Sequence, residues 1–251
     1  MAIKTRKISD WLSANGQAVT NASKATMEDA IRTDIGQLYD GVFIMFHRKS
    51  DNYPLAVRVS SWASYQTGGE IAEGVLLVEG GKHLVIAPTE ASSAKWSSKP
   101  VSSSDTSGSV QISGVTTTSD RIAALNDFAG RANTTAIING STSSNVTNTE
   151  DYAAGFCNRY SRTNANGKGL TAGRWWLPSI GEMAMIWANF DKINYALSKI
   201  NGATQLQTTW YWTSTQLSAA IAWGLHLSDG SVGNFYKFSQ LRVRPVSAFL
   251  Y

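Results

Sequence analysis

The sequence predicts a mixed α+β domain, on three observations. Short alternating or β-branched runs recur along the chain, amphipathic helical patterns carry recognisable caps, and nine Trp fall among Gly, Ser and Thr. Nine indoles suit aromatic-rich β structure, in which each buried ring N–H needs a partner.

Residues 1–20 read as a polar lead-in. From Asn21, the series Met27, Ala30, Ile31, Ile35, Leu38 marks one helix face that ends near Asp40-Gly41. Val42–Phe46 (VFIMF) is a strand. Tyr53–Ser61 and Gly74–Ile86 are also strands, the second folded into a hairpin at Gly80-Gly81. The Ser/Thr-rich stretch 92–119 reads as loop. Ser119–Arg131 is predicted as one capped helix with Ile122, Leu125 and Phe128 on one side. An exposed loop follows at 139–149. Asp151–Tyr160 spaces Tyr152, Phe156 and Tyr160 by four, a helical spacing. Leu177-Pro178 stops a strand, Ser179 caps, and Glu182 three residues later completes a capping box. That helix is expected to run through Met183, Ile186 and Trp187 and on to Ile193–Ile200.

The last forty residues hold the most informative pattern. Trp223, Leu225 and Leu227 alternate with Gly224, His226 and Ser228, Asp229-Gly230 makes a two-residue turn, and Val232 resumes the apolar side. Folding about that turn sets Ser228 opposite Ser231, Leu227 opposite Val232, His226 opposite Gly233 and Gly224 opposite Phe235. One face is uniformly apolar. The other carries Gly224, His226, Ser228, Ser231, Gly233 and Phe235, which share no size, charge or polarity. Such a face is either idle surface or one chosen for something outside the chain.

Composition narrows the function. At 251 residues the chain can bury a proper core. Its net charge of +4 comes without a Lys/Arg block, which argues against nucleic-acid binding. No apolar run suits a signal peptide or a membrane span. Cys157 is the one cysteine, so neither an intrachain disulfide nor a Cys-based zinc site can form; flanked by aromatics on its helix, it is expected to be buried and inert. His47, His83 and His226 lie far apart without a neighbouring carboxylate pattern, and no Ser/His/Asp or paired-carboxylate arrangement stands out. The expectation is therefore a non-enzyme without cofactor or metal. Asp229 is read as a turn residue, not a calcium ligand. Trp175 and Trp176 read as core, and Arg242 and Arg244 as structural hydrogen-bond donors.

Six blocks then point to a family. AGRWWLPSIGEMAMIW, YWTSTQ, AWGLHLSDGSV and RVRPV, preceded by LNDFAGRANTTAII and DYAAGFCNRY, resemble the bacterial and phage C-type-lectin-like domains of the DUF1566 (Lcl C-terminal-like) type. They are most similar to the branch used as variable proteins of diversity-generating retroelements, which includes phage tail-tip receptor-binding proteins. The resemblance is good from Ala124 to Phe249, weaker from Tyr53 to Ser119, and absent before about Gly41. It implies a C-type lectin fold with a short N-terminal helical extension: 1–41 as extension and 42–251 as ligand-binding domain, variable at about 210–249.

In that family the C-terminal strands and loops hold the ligand, and selected positions change through reverse-transcription errors opposite template adenines, mostly in AAY codons. Randomising the first two bases of AAY cannot yield Trp, Met, Lys, Gln or Glu. Trp212, Gln216, Trp223 and Lys237 are outside the reachable set and read as scaffold. The reachable positions taken as variable are Leu217, Ser218, Ala219, Ala220, Ile221, Gly224, His226, Ser228, Ser231, Gly233, Phe235, Tyr236, Phe238, Ser239 and Leu241. Phe235, Tyr236 and Phe238 would be the hot spots, because rigid aromatics give large contact area for little lost entropy.

The resemblance further implies a bacterial surface protein or glycan as ligand, other tail proteins as partners of the extension, and a homotrimer by analogy. Synthesis in the bacterial cytoplasm without a signal peptide, then incorporation into a virion, would follow. Two rival readings stand beside it: a surface adhesin or pilus-type subunit with a fixed face, and a calcium-dependent sugar-binding lectin. The related formylglycine-generating enzymes need a cysteine pair, which one Cys157 cannot supply.

Overall fold

The computed structural model describes residues 40–249. The helix expected over 21–38, and with it nearly all of the extension, lies outside the described residues.

The apolar run GVFIMFH forms β1 (Gly41–His47), an interior strand of the first sheet. It pairs antiparallel with β2 (Pro54–Arg58) on one side and β3 (Gly74–Glu79) on the other. β3 turns through Gly80-Gly81 into β4 (Lys82–Ile86), as the sequence predicts: Glu79 pairs with Lys82. β12 (Val246–Ser247) closes the sheet in the order β12-β4-β3-β1-β2.

The strand expected over Tyr53–Ser61 is cut short. Val59–Ser61 forms a 3-10 turn that leads into α1 (Trp62–Thr67), a helix the sequence did not signal. Trp62 explains the change. Its indole is fully buried against Phe46, with centroids 5.4 Å apart, and its Nε1 donates to Gln66 Oε1 one helical turn on.

The second sheet, in the order β10-β9-β8-β11-β5, contains β5 (Ala91–Ala94), β8 (Trp210–Gln216), β9 (Ile221–His226), β10 (Val232–Tyr236) and β11 (Leu241–Val243). β11 runs parallel to β8 and all other pairs are antiparallel. The 92–119 stretch, expected to be loop, supplies part of edge strand β5. β6 (Arg162–Thr163) and β7 (Gly169–Leu170) form a small ladder of their own.

The expected Ser119–Arg131 helix is broken in two. Asp120 caps α2 (Arg121–Leu125) by accepting from the amides of Ile122 and Ala123. Asp127 then interrupts the chain before α3 (Gly130–Asn139). Its buried carboxylate accepts from the Ala129 amide, Asn133 Nδ2 and Thr215 Oγ1. A side chain that captures nearby donors in this way competes with the helical ladder. α4 (Ala153–Arg159) lies within its predicted span.

The capping box at Ser179 and Glu182 opens α5 (Ile180–Ala188). Glu182 Oε2 accepts from the Ser179 amide at 2.9 Å and from Trp176 Nε1 at 3.1 Å. Burial pushes this carboxyl up to about 7. Asn189 splits the expected long helix: its Nδ2 donates to Met185 O and Glu79 Oε2, and α6 (Phe190–Leu197) starts anew.

Two cores result. The larger joins the first sheet and helices α5 and α6 to one side of the second sheet, through Ile44, Val75, Met183, Ile193, Tyr211, Trp223 and Leu225. The smaller gathers Trp96, Ile137, Cys157, Leu177, Trp212 and Val243. The second sheet therefore has core against both sides, but over only part of its length.

His47, which has no carboxylate pattern beside it in the sequence, gains a carboxylate from the fold: its Nδ1 lies 2.9 Å from both oxygens of the fully buried Glu73. Glu73 also accepts from the His47 and Leu170 amides. It ties β1 to β7 and has the character of a structural anchor.

Candidate functional site

β8, β9 and β10 position the candidate surface. The observed register differs from the predicted one by two residues: Val232 pairs with Leu225, Gly233 with Gly224, Phe235 with Ala222 and Tyr236 with Ile221. A two-residue turn would need positive φ at both Asp229 and Gly230, and only Gly230 has it, at 72°. The connection is instead a four-residue loop, 227–230. The His226 amide donates to Ser231 O and the Gly230 amide donates to His226 O, each at 2.9 Å.

Leu227 enforces this longer loop. It is buried in the larger core, and its amide donates to Thr209 O at 3.0 Å, so it cannot pair across to Val232. A slip of two, unlike a slip of one, leaves every side chain on its predicted face. Trp223, Leu225 and Val232 accordingly meet the larger core.

The opposite face is an aromatic cluster. Trp210 meets His226 edge-on at 5.0 Å and Phe235 at 4.8 Å, while Phe235 reaches Trp212 at 6.1 Å. Two glycines lie beneath. A Cβ at Gly233 would come within 2.7 Å of Trp210 Cη2, and one at Gly224 within 3.0 Å of Tyr211 O and 3.2 Å of Phe235 Cε2. Here the expectation of freely replaceable positions needs correction. Gly224 is buried, and both glycines are places where rings lie on the backbone. Phe235 and Leu241 in turn pack against the smaller core.

Of the fifteen predicted positions, Ser228 is exposed, Gly224 is buried and the remaining thirteen are half-buried. They are neighbours. The Leu217 and Ser218 amides both donate to Ile221 O, and the Lys237 amide donates to Ala220 O. The 217–221 loop is thereby set beside the 236–239 turn, where Tyr236 and Phe238 stack at 5.5 Å and 17°. By alternation Ile221 and Tyr236 fall on the Trp223 side of the ribbon, not with His226 and Phe235.

The tip brings together Ser228, His226 and Asp229, which the sequence reading did not combine. Ser228 Oγ lies 2.7 Å and Asp229 Oδ1 3.5 Å from the same ring atom, His226 Nδ1. A hydrolytic triad needs its hydroxyl and carboxylate on opposite ring nitrogens, so this is a tip hydrogen-bond cluster and not a nucleophile. Asp229 also accepts from the Ser231 amide at 2.9 Å, the turn role expected of it. That bond is the chief reason its carboxyl is held below the usual range.

The frame beneath is pinned. Lys237 is buried, its Nζ 2.7 Å from Gln216 Oε1 and 4.2 Å from the Trp96 ring centroid, and burial lowers it to about 7. Gln216 Nε2 reaches back to Ile112 O, and Trp223 Nε1 donates to Thr118 O. Glu90 accepts from Arg242 Nη1 at 2.7 Å and from the Tyr211 hydroxyl at 2.8 Å, with Arg244 Nη2 also at 2.7 Å. Both arginines therefore serve the frame, as the sequence suggests. Burial and the Glu90 charge push the Tyr211 hydroxyl up.

Sequence reasoning missed Trp210, the ring at the centre of the cluster. Its signal was available: two residues before Trp212, it shares that residue's side of β8. Asn234, the exposed residue of β10, was also passed over.

No family model matches this chain, and no curated protein matches it. Among solved structures it is similar to a fimbrial protein from Bacteroides ovatus ATCC 8483, at 20% identity and a TM-score of 0.43. The match covers 66% of this chain and 36% of the fimbrial chain, so the region compared spans little more than a third of that protein.

Proposed function

We propose that this chain is a recognition protein, not an enzyme, built on a C-type-lectin-like fold. Its C-terminal surface is diversified by a retroelement and serves host recognition in a phage tail or prophage. The observation that carries this reading is contiguity on a fixed frame. The 217–221 loop is hydrogen-bonded beside the 236–239 turn, and His226, Ser231, Gly233 and Phe235 share the outer face of the adjoining hairpin, with Ile221 and Tyr236 on its other side, while the unreachable residues Trp212, Gln216, Trp223 and Lys237 are all buried. Recognition by replaceable side chains requires that folding free energy come from elsewhere, and substitutions away from cores and caps shift stability by only about 0.5 kcal/mol.

Sequencing this locus in sibling isolates tests the proposal. Differences concentrated at Ser228 and at the twelve half-buried positions other than Gly233, beside a reverse transcriptase gene and a near-copy of the 3′ end, are the expected result. Substitutions spread evenly over the chain would overturn it.

A fixed-face adhesin or pilus-type subunit is the second reading, favoured by one observation. Gly224 and Gly233 are covered by Phe235 and Trp210, so this part of the surface resists rewriting. Siblings that keep both glycines and the whole Trp210–His226–Phe235 cluster would favour it.

A further inference from the structure

Beside the β9–β10 loop lies a cleft of about 580 Å³, lined by Trp187, Phe190, Asp191, Thr208, Leu227 and Ser228. Its size falls within the roughly 300–1,000 Å³ range of small-ligand sites. Trp187 is 39% exposed, an uncommon state for the largest apolar side chain. Part of its indole rests on the loop: a Cβ at Gly230 would lie 2.6 Å from Trp187 Cε2. With φ at 72° and a ring against it, Gly230 is required on both counts. The indole is thus held in place before any ligand arrives, which lowers the entropy lost on binding.

Around this platform stand one carboxylate and two hydroxyls: Asp191 in the first turn of α6, Thr208 in the segment leading into β8, and Ser228 at the hairpin tip. Neither Lys nor Arg is among the lining residues. An aromatic plane ringed by hydroxyls and a carboxylate matches a ligand with one C–H face and several hydroxyl donors. The lone negative charge, with no cation among the described lining residues, disfavours phosphorylated, sulfated or uronic sugars.

Two other recesses lack this mixture. One, lined by Val42, Val59, Asp191, Lys192 and Tyr195, has a mostly apolar surface and a lysine at its wall. The other, about 220 Å³ around Trp176 and Glu182, has Lys82 Nζ already stationed over its Phe128 wall at 4.1 Å.

We propose that the Trp187 cleft binds an uncharged hexopyranose unit, its C–H face on the Trp187 indole and its hydroxyls reaching Asp191, Thr208 and Ser228. The site involves no metal ion. It shares Ser228 with the surface proposed to vary, and its other contacts, Trp187, Asp191 and Thr208, lie outside that surface.

The test is saturation-transfer NMR on the full chain with methyl glycosides of glucose, galactose, mannose and N-acetylglucosamine, with and without a chelator. Transfer to the ring C–H protons of at least one glycoside, unchanged by the chelator, is expected. Trp187→Ala should weaken binding at least tenfold and Asp191→Ala several-fold, while Tyr195→Ala, an exposed aromatic outside the cleft, leaves it unchanged. If Trp187→Ala fails to fold, Asp191→Ala and Thr208→Ala decide the matter. Absence of transfer from all four glycosides, dependence on calcium, or binding that survives the cleft substitutions would overturn the proposal. None of these outcomes bears on the sibling-locus test.

Discussion

The β3–β4 and β9–β10 hairpins both carry glycine at the bend and in or beside their strands, and they use glycine for different purposes. At Gly80 and Gly81 φ is 54° and 76°, and a Cβ at either would meet nothing within 4 Å. Glycine there supplies torsion only. At Gly224 and Gly233 the backbone is ordinary strand and the need is room, because Phe235 and Trp210 lie on it. The first hairpin is a turn that any strand pair could share. The second is shaped by what rests upon it.

The largest expected effect tests the frame that closes the second hairpin. Lys237 is lowered by burial from 10.5 to about 7, so its contribution to stability is fully present above 10.5 and is lost as pH falls towards 7. Chemical denaturation should register a loss of a few kcal/mol over that window, partly offset by Gln216 and the Trp96 ring. Lys237→Met should abolish the slope. Glu182, beneath the same sheet, runs the other way. Its carboxyl is raised from 4.5 to about 7, so stability present below 4.5 is lost as pH rises through 7. Glu182→Gln should flatten that limb. A wild-type profile flat from pH 5 to pH 10 would contradict both assignments.

Next in size is Gly224→Val, which forces a side chain against Tyr211 O and Phe235 and should cost about 1–3 kcal/mol by overpacking. Thermal unfolding measures it. Gly80→Ala should cost roughly 1–2 kcal/mol, from the left-handed backbone alone. If Gly224→Val proves neutral while Gly80→Ala does not, the distinction between room and torsion fails. Smallest is Ser239→Ala at the rim, expected within about 0.5 kcal/mol of wild type in the same measurement.

These contrasts also mark how far the sequence could be read. Local signals carried well: the Ser179–Glu182 box, the Gly80-Gly81 turn and the apolar run of β1 each depend on residues adjacent in the chain. Features set by distant partners did not. The helix break at Asp127 depends on Thr215, eighty-eight positions away. The hairpin register depends on Leu227 being held by the larger core and by Thr209. Strand alternation still placed the side chains on their faces, because a two-residue slip preserves parity. What alternation could not tell is how much of a face is covered. Phe235 and Leu241 were read as outward and are half-sunk, since α3, α4 and Trp96 build a second core on that side.

The parallel pairing of β11 with β8 has a consequence for how this molecule can change in length. Because those two strands are joined directly, everything from Leu217 to Gln240 is a detour off a closed seam, with β10 at the free margin of the sheet. Residues added near Ser228 would lengthen the detour without parting the seam. The entropy involved grows only by about 0.6 kcal/mol per doubling of loop length. Length can thus be added at the tip while the seam stays closed.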